Sequence, residues 1–209
     1  KTTVCCPKAV FLGWQISAKG LSLDPKRVDV IQRFKPLTNV KQVRAYLGAI
    51  NYHRCHIPHL AKFAEPQYKL TRHDQPFVWG PEQQQAFEKT KGLLVDESAL
   101  VYPRENETEL CPFCLETDAS PGAISFLLKQ KDKQGVERVI AYGGRSLNKF
   151  EQNYSQVKLE LLAVLAGVQH FDRLLSHSQH PFIIRTDNKA VSYLKDLKHS
   201  KSPKLIRYA

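Results

Sequence analysis

The 209-residue chain contains no methionine and no long hydrophobic run. A membrane-spanning helix needs roughly 18 consecutive apolar residues, and no segment approaches that length. The first residues also lack the basic stretch followed by an apolar stretch that is typical of a secretory signal. We therefore expect a soluble, intracellular protein with no membrane partner. Because a chain without methionine has no initiator of its own, we also expect it to be a piece of a longer polypeptide.

Cysteines are few, and their number, five, is odd. Such a count does not make a disulfide framework in a chain of this size. The CPFC sequence at 111–114 runs without a break into a predicted strand, where residues three apart point to opposite faces, so its thiols should diverge. The histidines His53, His56 and His59 lack a second pair of ligands at the spacing of a zinc site. We therefore expect neither a redox motif nor a zinc site.

Positive charge dominates the chain, with a net charge of +11, but it is unevenly distributed. Residues 1–73 and 111–209 are basic, whereas residues 74–110 are acidic. Two basic segments separated by an acidic spacer suggest two surfaces that face one polyanion, and nucleic acid is the obvious candidate. The alternative is that the charge only keeps the chain soluble.

The first half of the chain predicts a hairpin followed by short helices. Residues 9–16 have strand composition, 18–20 form a turn, and 21–23 return as a second strand. Asp24 before a proline, and Asn39 followed three residues later by a glutamine, are start signals for two helices. The other predicted elements are a helix over 60–70 that breaks or restarts at Pro66, a short strand over 77–80, a helix from Pro81, and a polar linker over 100–109.

The second half predicts a mixed sheet with helices. From residue 111 the order is a strand, a Pro-Gly turn, a strand, the polar turn KDKQG, a strand, a long helix over about 153–175, a strand that ends in RTD, and a short helix from Lys189. A hydrophobic share of 42% is enough for a proper core. In such sheets, ligands gather at the ends of neighbouring strands.

Three acids in this half are carried by different elements and flanked by apolar residues. Asp118 closes the first strand, Glu160 lies at the rim of the apolar stripe of the long helix, and Asp187 follows the last strand. Carboxylates that converge destabilise the fold unless a cation lies among them. Oxygen ligands favour hard cations such as magnesium or manganese, and acids that hold two such ions are the usual apparatus for attacking a phosphodiester. From spacing alone, a simple ion pair at Glu160 is the alternative.

These residues lie in segments that resemble a known family. TDAS at 117–120, LNKFEQNYSQVKLELLAVLAGVQHF at 147–171 and TDNKAVSYL at 186–194 resemble the ribonuclease H region of the Pol polyprotein of gypsy-class LTR retrotransposons. Upstream, FLGWQIS, DPKRVDVIQRF, TNVKQVRAYLGAINYHRCHIPHLAKFAEP and FVWGPEQQQAFEKTKGLL resemble, in the same order, the segment between the reverse transcriptase palm and ribonuclease H. The resemblance covers nearly the whole chain.

The resemblance implies three regions: the end of the palm over 1–23, thumb and connection helices over 24–108, and a truncated ribonuclease H-like domain over 109–209. The expected fold is a small helical, thumb-like bundle followed by a mixed sheet with flanking helices. Because the aspartates and fingers of the polymerase are absent from this sequence, it should not copy a template by itself. The implied partners are an RNA–DNA hybrid or other nucleic acid and the rest of the Pol polyprotein, with its polymerase fingers and palm and its integrase. The implied location is the cytoplasm, with a virus-like particle or the nucleus as alternatives.

The resemblance also implies roles for individual residues. Asp118, Glu160 and Asp187 would hold two Mg²⁺ ions, with Mn²⁺ as an alternative, and hydrolyse the RNA strand of a hybrid. The 2′-hydroxyl that marks this strand is recognised across the minor groove. The expected nucleic-acid-binding residues are Arg145, Asn148, Tyr154 and Ser155 near the acids, and Lys41, Arg44, Asn51, Tyr52 and Arg54 on the thumb. For the thumb residues, an ordinary solvated face is the alternative.

Three departures from the family pattern leave catalysis open. The family needs a fourth acid in a later helix; Asp196 is too close to Asp187 to be that residue, so we expect the fourth acid beyond residue 209. Small residues after TDAS are replaced by bulkier ones, which should tighten the strand or hinder the substrate. The replaced positions are Ala123, Ser125 and Phe126, and Gly144 stands where the family tends to have serine. The alternative function is a catalytically inactive retroelement relic, or a domesticated module that binds nucleic acid or protein.

Overall fold

The structure, a computed structural model, describes residues 6–73, 75–94, 99–178 and 180–188. The chain divides into two compact units, Lys1–Tyr102 and Pro103–Ala209. The predicted polar linker, residues 100–109, contains this division. Among the described residues, no helix combines the length and the apolar composition needed to cross a bilayer.

Three short antiparallel strands open the first unit: β1 (Lys8–Phe11), β2 (Trp14–Ser17) and β3 (Gly20–Leu23). The predicted turn before β3 is confirmed. The prediction of one continuous strand over 9–16 is wrong, because the chain reverses at Leu12 and Gly13. Their φ angles are 50° and 82°, a region that glycine enters without steric cost. The predicted hairpin is therefore a three-stranded meander.

Helices α1 (Pro25–Gln32) and α2 (Val40–Tyr52) begin where the sequence predicted. The Asp24 carboxylate accepts a hydrogen bond from the backbone N–H of Lys26 at 3.0 Å, and the Asn39 side chain accepts one from Gln42 at 2.9 Å. Each cap satisfies a backbone donor that has no partner inside its helix. The Gln42 side chain does not return the bond to Asn39, because it accepts from Thr38 instead.

The other helices of this unit are α3 (Leu60–Phe63), α4 (Glu65–Lys69) and α5 (Pro81–Leu93). The predicted restart at Pro66 is confirmed, since this proline lies in the first turn of α4, where its missing N–H is not needed. The predicted strand over 77–80 is wrong. These residues form no strand, and the rings of Phe77 and Trp79 pack against the helical core instead.

An aromatic cluster joins the meander to the end of α2. The Trp14 ring stacks on the rings of Tyr52 and His56, with centroids 5.7 Å and 4.8 Å away. Its contact with His53 is edge-on at 4.9 Å. His53 is only 1% exposed. The cluster therefore places the titratable imidazole of His53 in an apolar environment.

We expect the stability of the first unit to fall as the pH drops from about 6.5 to about 4. Burial, together with the positive charges of the nearby His56 and Arg27, lowers the pKa of His53 to about 4, and the Asp24 carboxylate opposes this shift. An unfolded histidine, with a pKa of about 6.5, therefore binds a proton in this window that folded His53 does not, so acid favours unfolding. The full shift corresponds to roughly 3 kcal/mol.

Urea unfolding at several pH values, followed by tryptophan fluorescence, measures this effect. Both tryptophans, Trp14 and Trp79, lie in the first unit. The variant His53→Phe keeps a ring but cannot titrate, so its stability should depend less steeply on pH. Part of the slope should persist, because burial also lowers the pKa of His56. An equally steep loss in the variant would contradict the assignment.

The second unit contains a four-stranded sheet in the order β6-β5-β4-β7. Its strands are β4 (Phe113–Ala119), β5 (Ala123–Lys131), β6 (Glu137–Ser146) and β7 (Ile183–Arg185). Strands β4 to β6 are antiparallel, whereas β7 pairs with β4 in parallel. A parallel pair needs a crossover connection, which contains α6 (Gln156–His170) and α7 (Asp172–Ser176). The predicted mixed sheet with flanking helices is confirmed.

Helix α6 packs on one face of this sheet. Leu159 and Ala163 of the helix share a buried cluster with Ala119 of β4 and Ile124 of β5. The predicted single helix over 153–175 is wrong, because α6 ends at His170 and α7 follows as a separate helix. The predicted short helix from Lys189 lies outside the described residues.

Candidate active site

Asp118 and Asp187 lie at the same end of two neighbouring strands. In the parallel pair of β4 and β7, Glu116 is opposite Arg185. Asp118 lies two residues beyond Glu116, and Asp187 two residues beyond Arg185. Asp118 is half-buried and Asp187 is exposed. Both acids therefore stand at the carboxyl edge of the sheet, where ligands of α/β proteins usually bind.

Glu160 is the most buried of the three acids, with 3% of its surface exposed. Its Oε1 accepts a hydrogen bond from Gln156 Nε2 at 2.7 Å, while Oε2 is buried and finds no hydrogen-bond donor in the part of the chain that the structure describes. Burial raises the pKa of Glu160, the hydrogen bond from Gln156 opposes this rise, and the negative charges of Asp187 and Asp118 add to it. The three carboxylates are therefore close enough to interact electrostatically.

The chemistry of these donors fits a hard divalent cation. A buried carboxylate oxygen without a donor is unfavourable unless a cation reaches it. Carboxylate oxygens are also the ligands that Mg²⁺ and Mn²⁺ prefer. The electrostatic coupling of Glu160 to Asp118 and Asp187 therefore supports one shared site.

The acids do not form a ready-made cage, however. Over residues 6–73, 75–94, 99–178 and 180–188, no three His, Cys, Asp or Glu side chains are close enough together to enclose an ion. Side chains alternate along a strand, and Ala119 packs under α6, so Asp118 points to the other face of the sheet. The acids therefore interact electrostatically without forming a compact group among the described residues.

The bulky side chain of Phe126 does not crowd the sheet edge that carries the acids. Of the two effects expected of its bulk, a tighter strand or a hindered substrate, the second is therefore contradicted. Phe126 pairs with Gly143 on β6, and its ring fills the space in which a Cβ of residue 143 would lie, 2.1 Å from the nearest ring atom. The ring also contacts Phe171 at 5.8 Å. Because Asp118 pairs with Ser125, strand alternation puts Phe126 on the face opposite Asp118. The bulk of this side chain is directed into the core.

Two of the residues predicted to bind nucleic acid are Arg145, near the end of β6, and Asn148, in the turn that follows it. Arg145 donates two parallel hydrogen bonds to the Glu151 carboxylate, at 2.7 and 2.8 Å. The side-chain oxygen of Asn148 accepts bonds from the backbone N–H groups of Phe150 and Glu151, both at 2.9 Å. Arg145 and Asn148 therefore stabilise the turn, and their contact with nucleic acid stays a prediction.

The other two predicted residues flank the start of α6. Tyr154 packs against the cluster beneath α6, and exposed Ser155 occupies the N-cap position without a side-chain capping bond. Their contact with nucleic acid also stays a prediction. Glu151 and Gln156, which bond to Arg145 and Glu160, were not predicted from the sequence. Only Gln156 could have been predicted from the sequence, because a residue four positions before an acid on a helix lies next to that acid.

The predicted thumb residues lie on or just after α2. Lys41, Arg44 and Arg54 are exposed cations, and the helical spacing puts Lys41, Arg44 and Tyr52 on one face. Several polar ends bond within the protein: Arg44 donates to the carbonyl of Thr71, Asn51 exchanges hydrogen bonds with Tyr68, and the Tyr52 hydroxyl donates to the carbonyl of Leu12. This face combines positive charge with an aromatic ring, and its contact with nucleic acid stays a prediction.

A mixed sheet crossed by one long helix, with acids at the carboxyl ends of adjacent parallel strands, defines a ribonuclease H-like domain. The model of the RNase H-like domain found in reverse transcriptase matches residues 110–209. The chain is 34% identical over 194 residues to the retrovirus-related Pol polyprotein from transposon opus of Drosophila melanogaster. It is 32% identical over 179 residues to the transposon Tf2-3 polyprotein of Schizosaccharomyces pombe. Residues 110–209 therefore belong to the RNase H-like domain found in reverse transcriptase, and the chain as a whole is similar to a segment of retrotransposon Pol polyproteins, as its motifs predicted.

These matches cover 88% and 86% of the chain but only 19% and 13% of the two polyproteins. Solved structures show the same fold. The foamy viral protease-reverse transcriptase in complex with an RNA/DNA hybrid matches 97% of this chain and 27% of its own chain, with a TM-score of 0.74 and 19% identity. The same protein in complex with double-stranded DNA matches 96% of this chain and 42% of its own, with a TM-score of 0.74 and 20% identity. At these identities the similarity establishes the fold alone.

Proposed function

We propose that the second unit hydrolyses the RNA strand of RNA–DNA hybrids with the help of divalent metal ions, and that its intact parent does so during reverse transcription. The observation that carries the proposal is the unfavourable environment of the Glu160 carboxylate. Its carboxylate is buried, has one oxygen without a donor among the described residues, and is repelled by Asp118 and Asp187. A fold maintains such repulsion when a cation relieves it.

Asp118, Glu160 and Asp187 would hold the ions through their carboxylate oxygens. Bound Mg²⁺ or Mn²⁺ supplies Lewis acidity, which makes water a better nucleophile and stabilises the leaving oxygen of a phosphodiester. Glu160 offers Oε2 to the site, because Oε1 is already bonded to Gln156. Asp118 and Asp187 offer carboxylates from the sheet edge, and the mutual repulsion of the three acids favours cation binding.

Nucleic acid is the proposed ligand of the first unit as well. The foamy viral protease-reverse transcriptase, which has the same fold, was solved in complex with an RNA/DNA hybrid and with double-stranded DNA. We infer the same class of ligand for this chain. The exposed cations on α2 and just after it are suited to phosphates. The remaining proposed partners are the other parts of a Pol polyprotein, namely polymerase and integrase, and the proposed location is the cytoplasm or a virus-like particle.

Cleavage of a hybrid with labelled RNA is the direct test. The 209-residue chain is incubated with the hybrid and Mg²⁺, and the matched controls are duplex RNA, duplex DNA and a reaction with EDTA. We expect cuts in the RNA strand of the hybrid alone, and none with EDTA. Binding of the hybrid without cleavage under any metal condition would instead support the alternative of a catalytically inactive nucleic-acid-binding module.

Hybrid affinity should depend on salt through the α2 cations. Removing one cation that binds a phosphate should reduce the slope of log affinity against log salt by about 1. We therefore expect Lys41→Ala to lower both the affinity and this slope. The matched control is Lys89→Ala on α5, which removes the same charge from a side chain that lies over the Phe63 ring. Equal slopes for the wild type and Lys41→Ala would contradict the proposed face.

A further inference from the structure

We propose that Gln156 is a positioning residue, which fixes the Glu160 carboxylate relative to the end of β4 and leaves one of its oxygens for a divalent ion. This inference rests on the proposed function, which it extends to a residue outside the three acids. Gln156 occupies the first position of α6, one helical turn before Glu160.

The amide nitrogen of Gln156 makes two hydrogen bonds. It donates to the backbone carbonyl of Ala119 at 3.1 Å and to Glu160 Oε1 at 2.7 Å. A primary amide nitrogen has two hydrogens, so both are used. Ala119 directly follows Asp118 in β4. One amide group therefore ties the backbone beside the first acid to the carboxylate of the second.

This link determines which Glu160 oxygen can reach an ion. Glutamate has three rotatable bonds, and the negative charges of Asp118 and Asp187 push its carboxylate away. The short bond to Oε1 opposes that push, because hydrogen bonds to ionised acceptors are stronger than neutral ones. Oε2 stays buried and takes no hydrogen bond from any described residue. The carboxylate is thus held with one oxygen engaged and one available for an ion.

Gln156 is also well placed for a test, because the residue is exposed. Replacing it removes two hydrogen bonds without opening a cavity in the core. The variant Gln156→Met keeps the length of the side chain but has no donor, and Gln156→Ala retains helix propensity if methionine disturbs folding. The matched control is Gln152→Met. The Gln152 amide donates to the carbonyl of Leu147 at 3.4 Å and lies outside the acid cluster.

The experiment measures the Mn²⁺ affinity of the 209-residue chain by calorimetry, together with the melting temperature of each variant. Loss of a group that orients a metal ligand commonly weakens binding 10- to 100-fold, so we expect about a tenfold loss for Gln156→Met and Gln156→Ala. Gln152→Met should bind Mn²⁺ like the wild type. A high Mn²⁺ concentration should restore cleavage in Gln156→Met but not in Glu160→Gln, because a positioning residue changes occupancy while a ligand defines the site.

The outcomes separate the two proposals. If Glu160→Gln abolishes Mn²⁺ binding but both Gln156 variants bind it like the wild type, the positioning role is overturned and the proposed function stands. If the wild type binds no Mn²⁺, both proposals fail. If the Gln156 variants and Gln152→Met weaken binding equally, in step with their melting temperatures, Gln156 acts only through stability and the positioning role is also overturned.

Discussion

Glu160→Gln is expected to abolish cleavage of the hybrid while leaving the protein at least as stable as the wild type. Removal of a group that only supports a metal ligand costs 10- to 100-fold, so removal of the ligand charge should cost at least about 100-fold. The stability of the variant, in contrast, should equal or exceed that of the wild type. Burial and the neighbouring acids raise the pKa of Glu160, so its charged form destabilises the fold at every pH above the unfolded pKa of about 4.3. A neutral amide removes this penalty and can still accept the bond from Gln156.

Labelled-hybrid cleavage and thermal melting at neutral pH measure the two effects together. Asp118→Asn and Asp187→Asn should reduce cleavage to a similar degree. The matched control is Glu116→Gln, which removes an acid from the same strand as Asp118. Glu116 pairs with Lys129, so this control should lose some stability and keep its activity. Persistent cleavage in Glu160→Gln, or a lower melting temperature than the wild type, would show that Glu160 is a structural acid.

The helix starts of the first unit could be predicted because they depend on local chemistry. Asp24 and Asn39 cap helices through bonds to residues two and three positions away, and such signals are complete within a short window of sequence. The reversal at Leu12 could not be predicted in this way. Leucine rarely adopts a positive φ, so only the pairing of β1 with β2 across the turn accounts for it. The predicted strand over 77–80 was wrong for a related reason, because packing of Phe77 and Trp79 on the helical core outweighed their strand propensity.

The three acids were predicted because each ends or lies on an element whose apolar pattern is strong. The contacts around them were harder to foresee. Gln156 bonds to Ala119, a residue 37 positions earlier in the chain, and such a contact exists only once α6 has packed on the sheet. Arg145 likewise carries a charge suited to phosphate, but the fold places the Glu151 carboxylate beside it. Composition shows which groups a site has, and topology determines which of them are already bonded to each other.

Gly144→Ser is expected to destabilise the second unit by about 2 kcal/mol or more. The φ angle of Gly144 is +150°, and a Cβ at this position would lie 2.6 Å from the backbone oxygen of Ile124 on β5. A backbone atom in a paired strand cannot move aside as the end of a flexible side chain can. Serine, which the family tends to have here, therefore requires a different backbone at this point of β6.

Gly135→Ser is the matched control that separates backbone strain from collision. Gly135 also has a positive φ, +80°, but a Cβ there would meet nothing within 4 Å. Its replacement should cost about 1 to 2 kcal/mol through strain alone. Urea unfolding followed by circular dichroism compares the two variants, and the additional loss in Gly144→Ser measures the collision with β5. Equal losses would mean that β6 can shift away from the Ile124 carbonyl, and the close approach of the two backbones would then not explain why glycine occupies position 144.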